Sequence, residues 1–269
     1  VDVDVSSNLD EAADNNWVVS LSNESYALTY GDTEFAAKEF WSGTPNMQND
    51  NFSEQDGEEV LKVKGMFGGV EAALSSNVGE DGELDQAQFG AKATFGSVDV
   101  IAVYQDDASG AAVYGGDFKP AAAFGIAVST TVAGADVKVA HADDGETSTG
   151  ISVSYPVGDV ALTAFYTSEE VGDDNYGLEA KYAANGVTVK AWFHDGQDED
   201  HGINVSYDVS EDLTIYAGYS EDDDQYIGAG YDLGGGASMT VSYGDGEGND
   251  EIGPNEYLDG ATVALSLKF

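Results

Sequence analysis

Residues 31–59 carry a dense set of carboxylates, Asp32, Glu34, Glu39, Asp50, Glu54 and Asp56 among them. Beyond them stand isolated lysines, Lys62, Lys64, Lys92, Lys138, Lys181 and Lys190. Fixed opposite charges of this kind break no bonds. Set face to face across water, they make a transverse field that a solute crosses partly dehydrated. Covalent chemistry has little material here. There is no cysteine, and His141, His194 and His201 sit at strand ends or loop margins, with no serine, histidine and acid arrangement in evidence. GYDLGGGAS (230–238) holds a glycine run, but it lies between two strands with no helix after it, so a phosphate-binding loop is unsupported. No catalytic residue is assigned, and an enzyme is not expected.

Acid runs recur at 143–146, 169–174, 195–200, 221–224 and 244–251. Clustered carboxylates can hold calcium, yet none of these runs has the spacing of an EF-hand or a nonapeptide calcium repeat. Solvated charge explains them better, so no metal site and no cofactor is assigned, with calcium in these loops as an incidental alternative. The whole chain follows the same bias: 269 residues hold 51 acids and 9 bases, all lysine, for a net charge of -42. Such a field repels a phosphate backbone and excludes nucleic acid as a partner. It suits instead a mouth that attracts cations. Absence of cysteine removes disulfide scaffolds and thiolate metal sites.

The elements that must position these charges are strands. Apolar content is mostly valine, alanine and tyrosine, with 34 glycines, which is strand and turn composition. Segments at 150–157, 177–184, 202–209 and 226–233 repeat one pattern, headed by Ile151, Leu178, Ile203 and Ile227 at offsets of 27, 25 and 24 residues. Each meets a tight turn and then a second kind of segment, at 160–166, 187–193, 213–219 and 237–243. A longer acidic loop follows. Read along the chain, this hairpin repeat yields 18 strands, within a range of 16 to 20. A meander of that length removes its edges by closing into a barrel.

The two faces of these strands differ. One carries Val160, Leu162, Ala164 and Tyr166, then Leu213, Ile215, Ala217 and Tyr219, and so on along the chain, with a ring at each margin. That apolar band is about 20 Å high at roughly 3.3 Å per residue, near the height of an outer-membrane barrel's lipid-facing band. Serine, threonine, asparagine and nearly all the lysines take the other face. Trp192, Phe165 and Tyr216 break this division, either lining the wall under a loop or marking a bulge.

WVVSLSNESYALTYGDTEFAAKEFW (17–41), YDLGGGASMTVSYGDG (231–246) and a last strand ending on Phe269 resemble a bacterial outer-membrane general diffusion porin, most like those of alphaproteobacteria. The resemblance implies an integral outer-membrane protein of Gram-negative bacteria, a homotrimer in outer-membrane lipid. Phe269 would be the signal read by the barrel-assembly machinery, and the loop at about 31–57 would fold inward as a constriction. The expected architecture is one transmembrane antiparallel up-and-down β-barrel over residues 1–269. In this arrangement Asp32, Glu34, Glu39, Asp50, Glu54 and Asp56 form the acidic side of the constriction. Lys62, Lys64, Lys92, Lys138, Lys181 and Lys190 form the basic wall. Two departures stand out: three strands precede the long loop where about five are usual, so a preceding hairpin is expected, and no arginine is present for the constriction. The function expected is passive diffusion of ions and small hydrophilic solutes with a cation preference. The competing reading is an acidic secreted or surface β-protein, an adhesin with calcium-binding loops.

Overall fold

The computed structural model describes residues 2–7, 17–54, 59–79, 82–109, 118–197, 199–220, 224–246, 252–255 and 257–267. Among them stand 18 strands and a single short helix. Two compact units are present, Val1–Ser152 with Thr167–Asp173, and Val153–Tyr166 with Asp174–Phe269.

The first unit holds β1 (Asp2–Ser7), β2 (Trp17–Ser22), β3 (Tyr26–Gly31), helix α1 (Ala36–Phe40), β4 (Glu59–Phe67), β5 (Val70–Val78), β6 (Leu84–Phe95), β7 (Val98–Gln105), β8 (Ala123–Val132) and β9 (Ala135–Asp143). It also takes the loop-side ends of β10 (Thr147–Val157) and β11 (Val160–Glu169). From β1 to β9 each strand pairs antiparallel with the next in chain order. The second unit continues with β12 (Asn175–Ala184), β13 (Val187–Asp195), β14 (Asp200–Asp208), β15 (Leu213–Ser220), β16 (Gln225–Gly234), β17 (Ala237–Asp245) and β18 (Gly260–Leu267), again paired in order. The count and order follow the hairpin repeat, because period-2 alternation and glycine-bearing turns are local signals. Between β12 and β13, Asn185 and Gly186 take φ of 53° and 75°, the left-handed pair that a two-residue hairpin turn requires.

Registers align the side chains of neighbouring strands face by face. Phe89 pairs with Tyr104 and Tyr104 with Phe124, which sets ring beside ring at the loop margin. The apolar face they belong to is open: Leu74 is 61 % exposed, Leu178 63 % and Val263 72 %. In water such a face would be strongly unfavourable at about 25 cal/mol per Å². In a bilayer it is the contact surface. Burial is concentrated on the other face. The hydrophobic clusters of the first unit gather Phe35, Ala36, Ala37, Phe40 and Phe52 of the long β3–β4 connection against Val60, Ala73, Val103 and Ala123 of the strands. What the strands of the first unit bury, among the described residues, is therefore a segment of their own chain.

Candidate functional site

The long connection leaves β3 at Gly31, whose φ of 118° only glycine adopts easily, and whose absent Cβ makes room for the Trp17 carbonyl. Helix α1 follows. Its N-cap residue, Phe35, offers no capping side chain, and the free N–H groups are met from the wall: Ala36 N donates to Ser75 Oγ at 2.8 Å and Ala37 N to Gln88 Oε1 at 3.3 Å. Ala36 and Ala37 are fully buried, so the helix lies close against β5 and β6.

The rest of the segment is pinned strand by strand. Ser53 N donates to Gln105 Oε1 at 2.7 Å and Ser53 Oγ to Gln86 Oε1 at 2.8 Å. Asn49 N donates to Ser148 Oγ at 2.9 Å and its Nδ2 to Glu169 Oε2 at 3.1 Å, while Thr167 Oγ1 donates to the Pro45 carbonyl at 2.9 Å. Three strand glycines form the seat. A Cβ on Gly90 would overlap the Ala36 carbonyl, one on Gly125 would lie 2.5 Å from the Trp41 ring, and one on Gly150 would overlap Thr44 Oγ1. These three were not among the expected site residues. Their signal was present, since each takes a polar-face position with no polar side chain.

The charged residues arrange differently from the expectation. Glu39 does not face Lys62 and Lys64 across an opening; it touches both, at 2.7 Å each, because α1 rests on the wall that carries them. Lys62 also donates to the Glu34 carbonyl at 2.8 Å, and Lys64 reaches Glu71 at 2.8 Å. Burial raises the Glu39 carboxyl, but the hydrogen bonds and charges of the two lysines outweigh it and hold Glu39 below the usual carboxylate range. Glu54 pairs with Lys38, which stands on α1. Asp50 accepts the Trp41 indole N–H at 2.8 Å. Burial pushes its carboxyl up, opposed by Trp41 and Lys38 and assisted by Asp144 and Glu169. Asp32 stays half-buried beside β3, and its N–H donates to the Trp17 carbonyl at 2.9 Å.

Of the remaining lysines, Lys138 donates to Ser42 Oγ at 2.7 Å and holds the segment where a carboxylate was expected. Lys190 lies 3.7 Å from Glu179 and directly opposite Lys181 in the β12–β13 register. Lys92 and Lys181 are exposed on the polar face. Asp56 and Phe269 lie outside the described residues, as do most of the acid runs at 221–224 and 244–251. No group of three or more histidine, aspartate or glutamate side chains among the described residues is arranged to hold a metal ion.

Trp192, Phe165 and Tyr216 all fall on the polar face. Phe165 lies over Gly177 and against His194, with ring centroids 5.1 Å apart. Tyr216 packs on a cluster of Tyr226, Ile252 and Tyr257, in which the β17–β18 connection turns inward and Ile252 is fully buried. Of the two alternatives for these rings, it is the wall under a loop that Tyr216 takes. The inward placement of Ile252 and Tyr257 was not anticipated; these two apolar residues within an acidic stretch were its only trace.

No curated protein matches the chain by sequence. Among solved structures it is similar to engineered variants of the Rhodopseudomonas blastica porin. One with five substitutions shares 18 % identity at a TM-score of 0.49, over 91 % of this chain and 98 % of that one. A triple mutant shares 17 % at 0.47, over 96 % and 92 %. A structure described as "Asymmetric conductivity of engineered proteins" shares 17 % at 0.47, over 97 % and 94 %. The family model for Gram-negative porins matches residues 2–251. An exposed apolar band, a polar face with a segment of the chain docked on it, and that match over nearly the whole length agree: the chain belongs to the Gram-negative porin family, the integral channel proteins of the outer membrane.

Proposed function

We propose that the strands close into a barrel around a water-filled lumen, that residues 31–54 form its constriction, and that the channel passes ions and small hydrophilic solutes by passive diffusion with a preference for cations. The observation that carries this reading is the docking of that segment on the polar face, with Phe35, Ala36 and Ala37 fully buried and Phe52 nearly so. A connection of this length is functional or disordered far more often than it is idle, and this one is seated residue by residue.

The cation preference follows from the charge balance. Glu39 and Glu71 together balance Lys62 and Lys64, Lys138 is turned to loop oxygens, and the acid excess of the whole chain is left to dominate the field. The acidic loops serve as solvated charge at the mouth. No step of covalent chemistry is required. The channel assembles as a homotrimer in outer-membrane lipid, and Phe269 serves as its assembly signal.

Planar-bilayer recording tests the reading. Stepwise currents in potassium chloride, with a reversal potential of cation sign in a salt gradient, are the expected result. An anion-selective reversal potential would overturn the preference. Protein that conducts nothing would overturn the diffusion channel itself. Cross-linking in detergent checks the trimer.

A further inference from the structure

The polar face of the second unit holds a cavity of about 250 Å³ lined by Trp192, Asn204, Ser220, Asp224, Tyr226 and Pro254. Both rings are fixed on the wall by glycines of neighbouring strands. A Cβ on Gly202 would lie 2.7 Å from Trp192 Cη2, and one on Gly218 would lie 2.5 Å from Tyr226 Cε1. Their polar tips are held as well: Trp192 Nε1 donates to Asp200 Oδ2 at 2.5 Å and Tyr226 Oη to Asn204 Oδ1 at 3.0 Å. That second bond uses the oxygen of Asn204 and leaves its amide nitrogen as a donor beside the rings. Pro254, from the inward turn, closes one side.

Charge narrows the choice of ligand. Asp200 and Asp224 repel an anion. A cation finds its place over the indole already taken, since Lys190 Nζ stands 5.5 Å from the Trp192 ring centroid. A neutral molecule with an apolar C–H face for the rings and hydroxyls for the amide and carboxylates meets every group present. Size points the same way, because the cavity lies below the roughly 300–1,000 Å³ of drug-sized sites and fits a single small ring.

We propose that this cavity is a binding subsite for one pyranose ring of a neutral sugar, entered from the lumen. The proposal rests on the channel reading given above. It is tested on the full chain in planar bilayers, with D-glucose as the probe and choline chloride as the cationic comparison. The expected result is a saturable, glucose-dependent reduction of the potassium chloride current. Trp192→Ala and Asn204→Ala should each weaken it by about fivefold, the order of one lost aromatic or polar contact, while Trp192→Phe largely keeps it. Should Trp192→Ala fail to assemble, Asn204→Ala alone decides. A conducting channel with no saturable glucose effect, an effect of choline without one of glucose, or glucose block unchanged in Asn204→Ala would each overturn the subsite. A channel that passes no current would overturn the channel reading, and the subsite with it.

Discussion

Both units carry glycines on the polar face where a side chain would be expected, but they fill the notches differently. In the first unit Gly90, Gly125 and Gly150 receive backbone and side chains of a segment from far along the chain. In the second, Gly177, Gly202, Gly218 and Gly228 receive rings: Phe165, Trp192 and Tyr226 from strands, and Tyr257 from the inward turn. The first arrangement seats a separate segment of chain on the wall. The second surfaces the wall itself with aromatics. A glycine on the polar face is thus a vacancy with two uses, taken either by a docked segment or by the rings of the wall itself.

Substitutions can break this contrast. The largest effect is expected at Glu39. Glu39→Gln leaves Lys62, only 8 % exposed, without its counter-charge and should weaken docking of α1 by about 2–3 kcal/mol, a discount from the buried-pair range because Glu39 and Lys64 are partly exposed. Reversal potentials should move toward anions as well. Gly90→Val comes next: the added side chain meets the Ala36 carbonyl, a backbone atom with little room to yield, at a cost of about 1–3 kcal/mol. Higher single-channel conductance and faster proteolysis within 36–53 are the readouts.

Acid sharpens the comparison within the docked segment itself. The contribution of Glu39, held low, is present above the ordinary carboxylate range and lost as pH falls through its depressed value. The contribution of Asp50, pushed up, is largest below that range and lost as pH rises through its raised value. Hydrogen exchange should therefore show mild acidification protecting the backbone near Asp50 before stronger acid releases α1, and Asp50→Asn should abolish the first phase. The smallest effect is expected for Gly228→Val. It meets the tip of the Tyr257 side chain, which can swing aside, so thermal stability in detergent should fall by less than about 1 kcal/mol.

How much of this was legible in the sequence follows from the range of each signal. Ile151, Leu178, Ile203 and Ile227 announce their strands through neighbours two residues away, and the observed strands follow that reading. The start of the long connection was legible as the place where alternation stops. Its internal order was not, because α1 is only five residues long and is capped by Ser75 and Gln88 instead of by its own chain. The direct contact of Glu39 with Lys62 and Lys64 was hidden for the same reason: alternation assigns a side chain to a face, but it does not say that a distant segment lies on that face.

The hydrogen bond from Thr167 to the Pro45 carbonyl joins residues 122 apart in the chain. Asn49 likewise reaches Ser148, 99 residues on. Residues 42–49 thus take their seat from β10 and β11, and a substitution in that distant hairpin acts on the docked segment as directly as one within it.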